Sequence, residues 1–452
     1  MVMRLLKHAS LFLCGVVLVL TGTIAAQGQK KGNDGNSSPA VPPAAPSTPY
    51  SNVKRDSLLN GLQVVSLERM TEPVVKCYLV IRAGAMFDLT GKTGIAKLTQ
   101  ETLLAANPSL KEEFESLQAK IEWGVNWDTT WFQVEAPASS LEAALEILGR
   151  VLVVENIRPE AFKLAYQREL DKLKSGPLPP PERATESFLK ALYGDHPYGH
   201  DIDGDPATIS GIRQGDVYDF MRRFYIANNV SVVSVGNITH ERMIKIFKVY
   251  YGGWMKGQLV PSTFRQPRQV VQLQFVKVEA PESPQIEIRG GVMGLKHTDA
   301  DFLVTEVLAQ VLSSRLKKAL PNAPSGIEVK SLPRILPGPF FFSASVPVEQ
   351  APAFSRQVTE TFASLSTTAI TPEELAAAKA ALASEYSARP VDFFLREIEV
   401  YSLPRNHPTT ILSRIEKITA ADGERVAKKL LDSNALTVLV LGKVNDGFKS
   451  NL

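Results

Sequence analysis

Residues 94–107, GIAKLTQETLLAAN, read as a helix. Ile95, Leu98, Thr102 and Leu103 recur at three-and-four spacing, while Lys97, Gln100 and Glu101 fall on other faces. Ahead of it, residues 74–82, VVKCYLVIR, form an apolar, β-branched run that reads as a buried strand. Ala83-Gly84-Ala85 opens a turn, and residues 88–93, DLTGKT, make a polar loop. The local order is therefore strand, small-residue turn, loop, helix.

This order, with a helix beginning Gly-Ile-Ala, resembles the first catalytic segment of the insulinase/pitrilysin metallopeptidases. That family includes the mitochondrial processing peptidase and the core subunits of the respiratory bc1 complex. Its helix carries H-x-x-E-H: two histidines one turn apart hold zinc, and the glutamate is the general base. On that frame this chain reads Lys97-Leu98-Thr99-Gln100-Glu101. Lys97 and Glu101 stand at the histidine positions, and Gln100 at that of the base. A protonated lysine repels a divalent cation, and glutamine accepts no proton at neutral pH. The resemblance thus implies a family member without the family's chemistry and without a zinc ion of its own. It places the third zinc ligand on the helix matching residues 159–174, where Glu169 is the nearest candidate. The residues alone read Glu169 as an exposed acid in an i, i+4 charge pattern.

Composition sets the frame. The chain has 452 residues, 44% hydrophobic and 21% charged, which is material for more than one globular domain. Two of the three net positive charges belong to Arg4 and Lys7, so nothing suggests nucleic acid or an anionic membrane surface as partner. Residues 1–26 read as a bacterial-style export signal: a positive start, the apolar run LFLCGVVLVL and small residues for cleavage near Ala25 or Ala26. An uncleaved membrane anchor is the alternative. Export to the periplasm or outside follows. Residues 27–50, rich in Pro, Ala, Ser and Gly, read as a disordered linker. Of the cysteines, Cys77 alone follows the signal and lies in an apolar strand, a buried inert thiol.

Along the rest, Asn60-Gly61 marks a hairpin turn. Residues 120–135 read as strand–turn–strand carrying Trp123, Trp127 and Trp131, read as cover for a sheet edge or cleft over a stacking platform. Residues 140–154 read as a further helix. Residues 193–204, YGDHPYGHDIDG, resemble a second family segment and lead into a helix over 209–225 and a strand over 228–237. His196 and His200 are separated by Pro197 and Gly199, so they do not share a helix face as a zinc pair does. Counted from Asp201, the twelfth residue is Ile212, which leaves a calcium loop without its final acid. A turn rich in Asp and Gly is the plain reading. His240, His297 and His407 are scattered singly and read as surface or cap residues.

Ile81-Arg82-Ala83-Gly84 recurs as Ile288-Arg289-Gly290-Gly291, and Val235-Gly236-Asn237 as Leu441-Gly442-Lys443. The spacings, 207 and 206, point to a duplication. The expected organisation is a peptidase-like domain over 51–254, a linker over 255–268 and a second such domain over 269–446. The fold class is α+β, two homologous sheet-plus-helices domains in a clam-like arrangement around a peptide, as the resemblance implies.

In the second half, residues 300–320 read as a helix ending Ser314-Arg315-Leu316, similar to the family's S-R-L, where Arg315 reads as structural. Active members follow it with an Arg and a Tyr that bind substrate backbone and oxyanion. Here Pro321 and then Ile327 or Glu328 fall at those places, and none donates to an oxyanion. Phe341, in the aromatic strand 333–347, could line a substrate cavity, with core packing as the alternative. Arg315 and Phe341 are the substrate-binding candidates. Residues 371–387 carry a capping box, Thr371 with Glu374. No G-x-S-x-G, Walker loop, G-x-G-x-x-G or cysteine pair for metal is present.

The expected function is a non-catalytic subunit that pairs with a zinc-bearing homologue to form a peptide-processing chamber. The zinc would belong to that partner. The alternatives are a stand-alone exported peptide-binding or scaffold protein, as a monomer or a homodimer, and an active zinc peptidase with atypical ligands.

Overall fold

The computed structural model describes residues 50–259, 264–320, 326–431 and 435–443. The residues read as an export signal, nearly all of the segment read as a linker after it, and Pro321 lie outside the described residues.

The first half contains β1 (Val53–Ser57), β2 (Gln63–Glu68), β3 (Val74–Ile81), α1 (Ile95–Ala105), α2 (Leu110–Ser116), β4 (Lys120–Val125), β5 (Thr130–Pro137), α3 (Leu141–Leu152), α4 (Pro159–Lys174), α5 (Pro180–Tyr193), α6 (Pro206–Ser210), α7 (Gln214–Phe224), β6 (Val230–Gly236) and α8 (His240–Tyr251). The second contains β7 (Gln274–Glu279), β8 (Ile286–Met293), α9 (Phe302–Ala319), β9 (Glu328–Ser331), β10 (Pro339–Val346), α10 (Ala351–Thr367), α11 (Pro372–Ala388), α12 (Val391–Tyr401), α13 (His407–Lys417), α14 (Ala420–Leu430) and β11 (Thr437–Gly442).

The strands build two sheets, β1-β2-β6-β3-β5-β4 and β7-β11-β8-β10-β9. With β1 set aside, the orders correspond strand for strand. The single parallel rung of each also corresponds, β2 with β6 and β7 with β11. The central strands β6 and β8 are buried along their whole length, as their Val- and Ile-rich sequences require for strands covered on both faces.

The ladder registers correct one detail of the repeat. Gly236 pairs with Val75, and Leu441 pairs with Glu287, which sets Gly442 beside Ile286. Val75 and Ile286 therefore correspond, 211 positions apart and not 207. The I-R-A-G match is four residues out of register, and Arg289 corresponds to Tyr78. Duplication rests on the sheet topology.

One face of each sheet carries its own helices. On the first, Leu79, Phe132 and Val232 pack with Leu98, Leu148, Phe220 and Phe247. On the second, Ile288, Phe340 and Val440 pack with Leu308, Phe362 and Val426. The opposite faces are closed by exchange. From the first half, α5 packs on β7, β8 and β11, and Phe188 and Leu192 join Phe341 and Leu439. From the second half, α12 packs on β6, and Leu395 joins Val65, Tyr78 and Val233. Corresponding positions grip these helices. Arg289 donates to Thr185 Oγ1 at 3.1 Å and Pro181 O at 2.9 Å on α5, while the Tyr78 ring lies 4.0 Å from the Arg396 guanidinium on α12. Arg82, one residue past β3, donates to Glu399 O at 3.1 Å on the same α12. The two halves are thereby one compact unit.

Several expected elements differ. The single helix over 209–225 is two: Asp205 caps α6, and α7 starts anew with Arg213 N donating to Asp216. The strand over 333–347 starts only at Pro339, because Ile335 and Leu336 bond across to the first half. The 140–154 helix and the Thr371–Glu374 capping box are observed.

Candidate functional site

Helix α1 begins at Gly94, whose φ of 93° is left-handed. A Cβ there would come within 2.7 Å of Asp203 O and 2.6 Å of Ile209 Cδ1, so both conformation and space call for glycine. Asp88 accepts from Gly94 N at 2.7 Å and Ala96 N at 3.0 Å, filling the helix's first free donors. The DLTGKT loop thus fixes the start of α1 and the direction of the five residues that follow.

Lys97 Nζ lies 2.6 Å from Glu101 Oε1, one turn along the helix. Gln100 is fully buried, and its Nε2 donates to Gly124 O at 3.2 Å and Trp131 O at 3.3 Å, on β4 and β5. Leu98 and Thr99 are core, the latter bonded to Ile95 O. Helix α4 packs against α1 and delivers Glu169 to the same place. Glu169 is 7% exposed, which corrects its reading as an exposed acid, and its Oε2 has no hydrogen-bond partner. Burial pushes its carboxyl up, and the charges of Lys172, Glu101 and Lys97, in that order, act on it. The structure therefore brings Lys97 and Glu101 into an ion pair, with Glu169 within electrostatic reach of both.

These residues do not fit a zinc ion. The Lys97 ammonium already pairs with Glu101, no imidazole is present, and Gln100 has both N–H groups directed at backbone carbonyls. Among the described residues, no three His, Cys, Asp or Glu side chains stand in a metal-binding arrangement.

The other candidates have structural partners. Arg315 donates to both carboxylate oxygens of Glu374, at 3.0 and 2.8 Å, and to Ala369 O at 3.0 Å, clamping the α10–α11 junction. Phe341 is buried and stacked on Phe188 at 5.3 Å, so core packing, not a cavity wall, is its place. His196 uses Nδ1 to accept from Tyr198 N at 3.1 Å, and its Nε2 lies 3.0 Å from Arg265 O. Ile327 is half-buried and Glu328 is exposed beside Lys330.

Three features escaped the sequence reading. Tyr198, in the HPYG turn, donates to Asp128 Oδ1 at 2.6 Å and accepts from Leu336 N at 3.2 Å. Arg334 stacks over Trp127 at 3.9 Å and Tyr198 at 4.8 Å. This turn is an inter-half lock, and Trp127 is part of it. His240, His297 and His407 are all buried, which corrects their surface reading. His297 and His407 point their Nε2 atoms at one carboxylate, Glu397, at 3.3 and 3.8 Å. Finally, a cavity of about 470 Å³ opens between α9, α11 and β9, floored by Glu306 and Glu397. No motif joins Glu306, Glu397 and the two histidines, which are spread over a hundred residues.

Two family models match the chain: "Insulinase (Peptidase family M16)" over residues 63–205 and "Peptidase M16 inactive domain" over residues 211–382. An uncharacterized zinc protease of Rickettsia bellii is 22% identical over 275 residues, 59% of this chain and 66% of that protein. The probable mitochondrial-processing peptidase subunit beta of Schizosaccharomyces pombe is 21% identical over 57% of this chain and 58% of its own length. Both matches span less than two thirds of the curated relatives. A crystal structure titled a peptidase M16 inactive domain, from Pseudomonas fluorescens, superposes with a TM-score of 0.79 at 22% identity, covering 87% of this chain and 99% of that one. The likeness in fold, the two matched models and the strand–loop–helix frame around Lys97–Glu101 agree: the chain belongs to the insulinase family of M16 peptidases, as a member lacking H-x-x-E-H.

Proposed function

We propose that this protein is a non-catalytic M16 subunit that holds peptide and closes a chamber with a zinc-bearing homologue, which supplies the hydrolytic chemistry. The observation that carries the reading is the Lys97–Glu101 ion pair, at 2.6 Å, standing where the family's two zinc histidines belong. The Lys97 ammonium neutralises Glu101 there, so the helix keeps its place in the fold without metal. Gln100 bonded to β4 and β5 leaves no base for activating water. The leader-like residues 1–26 support export, to the periplasm or beyond.

The subunit role is tested by co-expression with an H-x-x-E-H homologue from the same organism, followed by size-exclusion chromatography. Co-elution in fixed ratio supports it. Elution of this chain alone, or as its own dimer, with affinity for peptide favours a stand-alone peptide-binding protein instead.

A further inference from the structure

Just past the end of β3 the two halves meet around a space. A cavity of about 510 Å³ opens there between α7 and α12, within the range of small-molecule sites. Phe87, Phe224 and Ile226 wall it from the first half, and Leu336, Val400 and Tyr401 from the second. The Phe87 and Phe224 rings meet edge to face with centroids 5.1 Å apart. Phe224, Ile226 and Leu336 are buried in the body of the protein, so the walls are apolar and held in place by packing.

The charged side of the cavity has one sign. Arg82, Arg223 and Lys296 line it, and no Asp or Glu stands among the described residues of the lining. Arg223 and Lys296 are exposed at the rim and form no ion pair among the described residues. Arg223 lies over the Phe224 ring, 5.4 Å from its centroid. Arg82 is half-buried and fixed: its Nη2 donates to Ser231 Oγ at 2.6 Å and its Nε to Glu399 O at 3.1 Å. The carboxylate it pairs with, Glu399 at 3.7 Å, is shared with Arg55 at 3.6 Å, and Arg55 Nη2 is buried without a hydrogen bond. One carboxylate therefore serves two guanidiniums, and the other two cations have none. Cations gathered in a cleft with low-dielectric walls raise the local concentration of anions.

We propose that this cavity binds an amphipathic carboxylate, an apolar body ending in a single carboxylate group. The body lies against Phe87, Phe224, Leu336 and Val400, where burial of apolar surface favours it. The carboxylate meets Arg223 and Lys296 at the rim through charge-assisted hydrogen bonds, with Arg82 behind them. A compact polyanion would leave the apolar walls uncovered. Two sources carry this chemistry: a free organic acid, and the C-terminal residue of a peptide ending in an apolar side chain. The inference goes beyond the subunit role and does not rest on it.

The test is calorimetry on the purified protein, at about pH 7 and fixed ionic strength, with octanoate, octanamide and acetate. Octanoate should bind about 10- to 100-fold tighter than octanamide, and acetate should give no measurable binding. Arg223→Gln combined with Lys296→Gln, both at exposed side chains, should bring octanoate down to the affinity of octanamide. Absence of octanoate binding, or equal affinity for octanoate and octanamide in the unmodified protein, overturns the proposal. So does octanoate affinity unchanged in the folded double variant. Acetyl-Ala-Ala-Phe with a free carboxyl end, set against its amide, identifies the source. Preference for the acid peptide, at higher affinity than octanoate, assigns the site to a peptide C-terminus, and octanoate binding with no peptide binding assigns it to a free organic acid. Failure to co-elute with a zinc-bearing homologue would overturn the subunit role and leave each of these results standing.

Discussion

Lys97 and Glu101 form an ion pair at 2.6 Å across one helical turn, with the buried Glu169 of α4 beside them. If Glu169 takes the third-ligand place that the family resemblance implies, restoring a zinc site is a matter of two side chains. Lys97→His with Glu101→His should give a protein that takes up one zinc ion, using Glu169 as the third ligand. Metal analysis after dialysis checks it, and adding Glu169→Gln should remove the metal again.

Gln100 is the harder position to revert. Its amide donates to two carbonyls, and a carboxylate there would face Gly124 O and Trp131 O as a third acceptor. Gln100→Glu in the unmodified protein should lower stability by about 1–3 kcal/mol. Urea unfolding measures it.

The exchanged helices should govern the stability of the whole unit. Arg289, 4% exposed, pairs with the equally buried Glu287 at 3.2 Å while holding α5. Arg289→Leu strands that carboxylate and should cost about 3–5 kcal/mol. Tyr198→Phe, which removes one donor and one acceptor from the inter-half lock, should cost about 1–3 kcal/mol. Both are read from denaturant midpoints at unchanged m-value.

Glu306 sets a pH dependence. Its folded-state value, raised to about 8 chiefly by burial, lies above the ordinary 4.5 of an unfolded chain. Its contribution is therefore fully present below about pH 4.5 and is lost as pH rises through 8. Glu306→Gln should flatten the decline in melting temperature between pH 5 and about 9, and at the alkaline end the variant should be the more stable protein.

What could be read in advance follows from where each residue finds its neighbours. The α1 helix, its loop and the β3 strand were legible because their apolar periodicity reports a core a few residues away. Helices α5 and α12 were not, since each buries its apolar side against a sheet built by the other half. Their patterns, such as Ala184, Phe188 and Leu192, have no local counterpart. His297, Glu397 and His407 met the same obstacle: single polar residues look like surface until the topology converges them. Glu169 looked like part of a charged helix face because its helix buries only Ala161, Ala165 and Leu170 besides it. The I-R-A-G match pointed to a true duplication through a pairing four residues out of register.

The most direct measurement is zinc content and peptide cleavage of the purified protein, alone and mixed with a zinc-bearing homologue from the same organism. The account predicts no stoichiometric zinc and no cleavage alone, with cleavage on mixing raised above the homologue's own level. Stoichiometric zinc together with cleavage by this chain alone would contradict it.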